Sequence, residues 1–94
     1  MKSIFDDVSS DCSKIVTKTY STSFSLATKM LSKNIRQHIY NIYGFVRFAD
    51  EIVDSFHDYD KKVLFKDFSL DLEKSLKNKI HLNPILNSFQ ATYH

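Results

Sequence analysis

One glycine and one proline in 94 residues constrain the fold of this chain more than any other feature. These two residues supply most tight turns between strands, and no segment alternates apolar and polar residues over the length of a strand. Few turns and no alternation favour helices joined by short connections. The sequence therefore predicts an all-α fold, and 94 residues make one domain or less.

Capping residues and apolar spacing predict where the first helices lie. Ser3 or Asp6 can open a helix that runs to about Tyr20. We expect its inner face to consist of the apolar residues that repeat at helical spacing: Ile4, Val8, Cys12, Ile15 and Val16, or Thr19. The hydroxyl-rich stretch that follows allows only a short helical turn over residues 24–30, because its side chains compete for backbone partners.

Three further signals organise the rest of the chain. Ser32 is the expected cap of a long central helix, in which Gly44 costs about 1 kcal/mol relative to alanine unless a neighbour packs closely there. A polar turn at residues 57–60 precedes an amphipathic helix with an apolar residue at every fourth position: Leu64, Phe68, Leu72 and Leu76. Asn83 and Pro84 mark the start of a last helix.

The last helix leaves room for about three turns before the sequence ends. Its apolar residues, Ile85, Leu86, Phe89 and Tyr93, meet no later segment. We therefore expect a fragment of a larger helical domain. The alternative is a complete small bundle that buries this face internally or by dimerising.

Asp50 and Asp54 are four residues apart inside the apolar central helix. This spacing puts both carboxylates on one helix face, where they can share a divalent cation. On a helical wheel they continue a polar stripe that contains Arg36, Tyr40, Tyr43, Arg47, Asp50 and Asp54. Two apolar groups flank it: Ile35, Ile39, Ile42, Val46, Ala49 and Val53 on one side, and Phe45, Phe48 and Ile52 on the other. We expect neighbours on several sides of this helix, with the stripe facing a polar cavity or solvent.

The stripe has a structural and a functional interpretation. As a solvated edge, it would hold a surface ion pair between Arg47 and Asp50, worth about a few tenths of a kcal/mol. Exposed stripes usually favour Lys and Glu, whereas both basic members here are arginines and two members are tyrosines. That mixture suits a bidentate oxyanion site. Two close carboxylates also repel each other, and a metal or a metal-diphosphate complex would relieve the repulsion.

Composition excludes several classes of function. A formal net charge of +2 with scattered basic residues argues against nucleic-acid binding. The lone Cys12 excludes an internal disulfide and a multi-cysteine zinc site, and is compatible with a reducing compartment. No apolar run approaches the ~18 to 20 residues of a membrane span, and the acidic opening does not have the order of a signal peptide. We expect a soluble, cytoplasmic chain.

Three motifs follow one another along the first half of the chain: residues 20–25 (YSTSFS), 42–47 (IYGFVR) and 50–54 (DEIVD). Together they resemble the N-terminal part of the squalene/phytoene synthases, the head-to-head prenyl transferases of the all-α isoprenoid synthase fold, and most of all the bacterial phytoene synthases. The resemblance extends over essentially the whole chain, so residues 1–94 would form the N-terminal part of such a domain.

The resemblance implies that Asp50 and Asp54 bind Mg²⁺, or Mn²⁺ in its place, and thereby hold a prenyl diphosphate. Glu51 occupies a position that is often acidic in the family. On the wheel, however, it points away from the face of Asp50 and Asp54, so we expect it to contribute only indirectly.

The resemblance also implies contacts with the substrate. Arg47 would contact the diphosphate, and Ser21 and Ser23 would donate hydroxyl hydrogen bonds to it. Phe24 would line the isoprenoid pocket, and Tyr43 would lie near the developing carbocation. Without the resemblance, the two serines would be interpreted as helix caps and the two aromatic residues as core.

The implied reaction is the condensation of two geranylgeranyl diphosphates through a cyclopropyl diphosphate to phytoene, with a squalene-type synthase as the alternative. A lipidic substrate and product are compatible with peripheral membrane contact. Exposed apolar faces of a fragment are compatible with the formation of homo-oligomers. Two non-enzymatic alternatives are an assembly factor that keeps the fold and a self-contained helical interaction module. Intact Asp50, Asp54, Arg47 and Ser21 argue against the assembly factor.

The family pattern includes a second aspartate-rich motif on a later helix, and nothing after Asp54 supplies one. Asp67 and Asp71 have the spacing, but Lys66 and Lys74 flank them, as on a solvated face. We therefore predict that this chain alone is inactive, whereas the full-length parent is an enzyme. A turnover assay with geranylgeranyl diphosphate and Mg²⁺ checks this, and formation of any phytoene would contradict it.

Overall fold

The computed structural model describes residues 2–56 and 58–94. Within these ranges the chain has no strand and forms α1 (Lys2–Tyr20), α2 (Thr22–Thr28), α3 (Lys33–Asp54), α4 (Lys61–Asn78) and α5 (Pro84–Tyr93). The prediction of an all-α fold is confirmed. Helices α1, α3 and α5 pack against one another, α2 lies against α1, and α4 contacts α3 and α5. The predicted polar turn precedes α4, although His57 lies outside the described residues.

Side-chain caps begin three of these helices. Ser21, Asp60 and Asn83 each accept a hydrogen bond from a backbone amide in the first turn of α2, α4 and α5, respectively. The predicted start of α5 is confirmed, with Pro84 at a position where a missing N–H leaves no helical bond unmade. Ser32 lies at the predicted cap position of α3, but its side chain makes no capping hydrogen bond.

The predicted inner face of α1 is wrong. The structure buries Ser9, Ser13 and Thr17, which are spaced four residues apart. The apolar residues expected there are exposed or only half-buried: Ile4, Val8 and Ile15 are exposed, and Cys12 and Val16 are half-buried. Small hydroxyl side chains allow a neighbouring helix to approach more closely than branched aliphatic ones do, and this proximity decides which face of α1 turns inward.

The buried hydroxyls of α1 all have hydrogen-bond partners. The hydroxyl of Ser9 donates to the carbonyl of Phe5 over 2.9 Å, and that of Thr17 donates to the carbonyl of Ser13 over the same distance. Ser13 itself is hydrogen-bonded to the hydroxyl of Ser88 on α5. Because no donor is left unpaired on this face, its burial carries little of the usual penalty for polar groups.

Gly44 is the point at which α3 comes closest to α1. A Cβ atom built on Gly44 would lie 3.0 Å from the Oγ of Ser13 and 3.4 Å from its Cα. The close packing predicted for this glycine is therefore confirmed. The absent side chain is what allows the two helices to meet here.

Helix α5 does not lack a partner. Ile85 and Leu86 are buried against the rest of the bundle, and Phe89 stacks on Phe45 of α3 with ring centroids 4.1 Å apart. No later segment covers this apolar face, but the earlier helices α1 and α3 do, which is the internal burial that the alternative interpretation expected. Only Tyr93, at the end of the helix, stays exposed.

One apolar side of α3 remains uncovered. Of the group expected to be enclosed, Ile35, Ile42, Val46 and Val53 are exposed, whereas Ile52 on the other side is buried. The bundle therefore covers α3 from one side, and the prediction of neighbours all round is wrong for this face. None of the helices in the described ranges is long and apolar enough to cross a bilayer.

A polar cluster joins the start of α1 to α5. The side-chain amide of Asn87 donates to a carboxylate oxygen of Asp6 over 2.9 Å and to the hydroxyl of Ser9 over 3.1 Å. The other oxygen of Asp6 accepts a hydrogen bond from Lys2 over 2.7 Å. The hydrogen bond from Lys2, together with that from Asn87, holds the pKa of the Asp6 carboxyl below its usual range.

We predict that Gly44→Ala destabilises the chain. Contact of the new methyl group with Ser13 outweighs the gain in helix propensity, which leaves a net loss of about 1 to 2 kcal/mol. Urea unfolding followed by circular dichroism measures the change. In a Ser13→Gly background, which has space for the methyl group, Gly44→Ala should cost less than it does in the original chain. Equal stability of Gly44→Ala and the original chain would contradict the close approach.

We also predict a pH dependence that originates at Asp6. A carboxyl whose pKa is lowered by folding contributes its full stabilisation above its unfolded pKa of 3.8 and loses it as the pH falls through the folded value. Asp6→Asn should therefore lower stability at pH 6 more than at pH 3, as measured by urea midpoints. Asp11→Asn, an exposed acid on the same helix, is the matched control, and equal pH profiles for the two variants would contradict the prediction.

Candidate functional site

The predicted site lies where α3 meets α2 and the end of α1. Phe24 of α2 stacks on Tyr43 of α3, with ring centroids 4.9 Å apart and planes inclined by 27°. One turn further along α3, the guanidinium carbon of Arg47 lies 5.1 Å from the centroid of the Tyr20 ring. Tyr20 directly precedes Ser21, so the hydroxyl-bearing segment and the polar stripe of α3 come together here.

Arg47 is the central residue of this site. Its Nη2 atom lies 3.4 Å from a carboxylate oxygen of Glu51 and 4.0 Å from one of Asp54. Its Nε atom is buried and has no hydrogen-bond partner within the described residues. The surface pair with Asp50 that the spacing predicts is not formed, since the guanidinium turns towards the other two acids. A guanidinium with an uncommitted donor is suited to binding an oxyanion.

Asp50 and Asp54 lie one turn apart at the rim of the site. Both are exposed, and Asp54 exposes 66% of its side chain. Across residues 2–56 and 58–94, no group of three or more His, Cys, Asp or Glu residues is arranged to hold a metal ion. The pair nevertheless fits Mg²⁺, because proteins usually bind this ion through one or two carboxylates while waters and substrate phosphates complete the shell. Arg47 beside the pair can bind such a phosphate.

Glu51 faces the site rather than away from it. Its carboxylate lies closer to Arg47 than that of Asp54, and its side chain is only 23% exposed. The prediction compared Glu51 with Asp50, about 100° away on the wheel, and an indirect contribution through Arg47 stays a prediction. Arg47 is only about 40° from Glu51, and its long side chain closes that gap.

The two predicted serines differ in their surroundings. The Oγ atom of Ser21 accepts a hydrogen bond from the amide of Phe24 over 3.1 Å and thereby begins α2. Its hydroxyl hydrogen can still donate to a ligand, because a hydroxyl carries both a donor and acceptor sites. Ser23 is exposed in the first turn of α2. The structure thus places Ser21 in a capping position beside Tyr20 and leaves Ser23 at the surface.

Arg36 has a positioning role that the sequence does not reveal. Its Nη2 atom donates to the carbonyls of Lys29 and Leu31 over 2.9 and 3.0 Å. These carbonyls follow the last turn of α2, so Arg36 attaches the end of that helix to α3 and helps to keep Phe24 over Tyr43. Only the place of Arg36 on the stripe hinted at this role.

Tyr40 is enclosed, which corrects the expectation that the whole stripe faces solvent or a polar cavity. Its side chain is 1% exposed, and its hydroxyl has no hydrogen-bond partner within the described residues. The buried side-chain atoms without a partner in this part of the chain are the Nε atoms of Arg36 and Arg47 and this hydroxyl. All three belong to the stripe, and such concentration of unpaired polar groups on one face is typical of functional sites.

An apolar groove borders the site on the side of Glu51. It has a volume of about 370 Å³ and is lined by Tyr20, Phe48, Glu51, Ile52, Phe56 and Phe68. Glu51 and Tyr20 contact Arg47 as well, so the groove and the charged centre share two residues. Apolar walls next to a cationic group suit a ligand with an apolar chain and an anionic end.

Comparison with known proteins identifies the family of the chain. The family model for squalene/phytoene synthase matches residues 17–94, which include the end of α1 and all of α2 to α5. Neither the curated proteins nor the solved structures compared with the chain contain a match. A match over this much of the sequence includes every candidate site residue named above, and the family indicates a head-to-head prenyl transferase of isoprenoid biosynthesis. The chain belongs to the squalene/phytoene synthase family.

Proposed function

We propose that this chain provides the diphosphate-ionising part of a Mg²⁺-dependent prenyl transferase that condenses two geranylgeranyl diphosphates to phytoene through a cyclopropyl diphosphate. The observation that carries the proposal is the position of Arg47. It lies beside Asp54 and Glu51 and over the ring that precedes Ser21. These contacts support a site in which an acidic pair would bind the cation and Arg47, with the neighbouring Ser21, would bind the anion.

The charged half of the site would act on the leaving group. Asp50 and Asp54 would hold Mg²⁺, and the bound ion would neutralise charge that develops on the departing diphosphate. Arg47 would orient the diphosphate through its planar fork of donors, and Ser21 would add a hydroxyl hydrogen bond. Donors already in place stabilise the leaving group without reorganising during the reaction.

The aromatic half of the site would act on the carbocation. Phe24 and Tyr43 stack beside the charged residues, and aromatic faces attract a cation without capturing it as a nucleophile would. The apolar groove near Glu51 can hold prenyl carbons away from water, which would otherwise quench the cation. Each half includes residues of α3, Arg47 with the aspartates in one and Tyr43 in the other, so this helix links the two halves.

The choice of phytoene over a squalene-type product rests on the resemblance to bacterial phytoene synthases. Phytoene formation does not need NADPH, and a squalene-type enzyme would prefer a shorter prenyl diphosphate. We propose a cytoplasmic enzyme that contacts the membrane peripherally, since its substrate and product are lipidic. Titration with thiodiphosphate analogues of different prenyl lengths distinguishes the two products, and tighter binding of the shorter analogue would favour the squalene type.

We predict that replacing the acidic pair removes Mg²⁺-dependent binding of substrate. Asp50→Asn with Asp54→Asn should weaken binding of the unreactive geranylgeranyl thiodiphosphate by at least about tenfold in the presence of Mg²⁺, and much less in its absence. Isothermal titration calorimetry measures both affinities. The pair is exposed, so the substitution should leave the fold intact.

The chain offers a matched control for this experiment. Asp67 and Asp71 on α4 have the same spacing, and Asp71 lies 3.5 Å from His81 rather than beside an arginine. Asp67→Asn with Asp71→Asn removes the same charge at a distance from Arg47 and should leave Mg²⁺-dependent binding unchanged. If both double variants bind the analogue like the original chain, the proposed function is wrong.

A further inference from the structure

Arg47 and a metal ion would use the same carboxylate. Its Nη2 atom lies 4.0 Å from Asp54, one of the two residues assigned to the cation, and 3.4 Å from Glu51 beside it. The same guanidinium is the group assigned to the diphosphate. One side chain is therefore paired with a proposed cation ligand and is also the proposed contact of the anion.

We propose that Arg47 acts as an exchangeable counter-ion: it releases Asp54 when a divalent cation binds and pairs with the diphosphate instead, so that cation and diphosphate bind cooperatively. This inference rests on the proposed function and specifies how the site is loaded. It concerns binding order and coupling, which neither the family assignment nor the stripe itself determines.

The electrostatics of the site favour such an exchange. Asp50, Glu51 and Asp54 place three carboxylates within about one turn, and Arg47 is the cation in contact with two of them. A cation that binds Asp50 and Asp54 neutralises part of their negative charge. The carboxylates then attract the guanidinium of Arg47 less strongly. An anion that pairs with Arg47 in turn leaves the carboxylates more attractive to the cation. Each ligand thus raises the affinity for the other by the same factor.

The geometry also limits how far Arg47 has to move. Its guanidinium lies over the Tyr20 ring, and this cation-π contact does not depend on the carboxylates. The side chain can therefore turn from Asp54 towards an anion near Ser21 while it keeps its aromatic support. The unpartnered Nε atom gives it a donor that is not engaged with either acid.

The two arginines of the chain allow a direct test that leaves the site itself unchanged. Each has an Nε–H group that gives its own signal in a ¹H–¹⁵N NMR spectrum, and Arg36 serves as an internal control because its guanidinium is bonded to backbone carbonyls. Arg36→Lys assigns the two signals. We expect the Arg47 signal to shift when Mg²⁺ is added and to shift again when inorganic pyrophosphate follows, while the Arg36 signal stays in place.

Two variants measure the coupling itself. Arg47→Gln should raise Mg²⁺ affinity in the absence of pyrophosphate about two- to fivefold, since it removes the competing charge. It should also reduce, by about fivefold or more, the factor by which Mg²⁺ strengthens pyrophosphate binding. Lys74→Gln removes one exposed positive charge from α4 and is measured in the same solutions, so it corrects for net charge and for magnesium pyrophosphate formed in solution.

The outcomes separate this inference from the proposed function. An Arg47 signal that does not respond to Mg²⁺, or an unchanged coupling factor in Arg47→Gln, overturns the exchange even if the prenyl analogue binds in the presence of Mg²⁺. A response of both arginine signals overturns it as well, because the change would then not be local to the site. If the prenyl analogue does not require Asp50 and Asp54, the proposed function itself fails.

Discussion

The close approach of α1 and α3 at Ser13 and Gly44 is the contact on which the rest of the structure depends. Ser13 also bonds to Ser88, so the same point ties α5 to the pair. With the three helices held at this distance, the end of α1 reaches the second half of α3 and the Tyr20 ring lies beneath Arg47. A small side chain and an absent one thus help to position both Arg47, about 4.5 Å further along α3 than Gly44, and Tyr20, about 10 Å further along α1 than Ser13.

The site combines groups that no single helix could assemble. Helix α3 contributes the arginine, the acids and Tyr43, α2 contributes Phe24, and the junction of α1 and α2 contributes Tyr20 and Ser21. Arg36 keeps α2 in place by bonding to the backbone carbonyls of Lys29 and Leu31. Because every residue has such a carbonyl, this support of the aromatic stack does not depend on which side chains stand at these two positions. The charged and aromatic halves of the site are therefore positioned by separate contacts on a shared helix.

Much of the secondary structure could be predicted from the sequence, because caps and breaks act locally. Asn83, Pro84 and Ser32 indicated the starts of α5 and α3 correctly, and Gly44 indicated close packing. The short helix expected over residues 24–30 lies two residues earlier, at Thr22–Thr28, because Ser21 caps it. The buried face of α1 could not be predicted from hydropathy. Hydropathy assigns aliphatic side chains such as Ile15 to the interior and contains no information on the distance between packed helices.

The same limit applies to the site. Spacing along α3 grouped the acids with Arg47, which the structure supports for Asp54. The contact of Glu51 with Arg47 was not predicted, because a helical wheel shows the direction of a side chain and not its length. The burial of Tyr40 depends on which neighbours cover α3, and that information is tertiary.

The hydroxyl-lined face of α1 has a thermodynamic consequence. Unfolding this bundle would hydrate Ser9, Ser13 and Thr17 together with the buried amides of α5, and polar surface lowers the heat capacity of the unfolded chain whereas apolar surface raises it. A core of this composition gives a smaller heat-capacity increment than an aliphatic core of equal area. The free energy of unfolding of this chain therefore depends on temperature with a shallow curvature, and it changes little on cooling below room temperature.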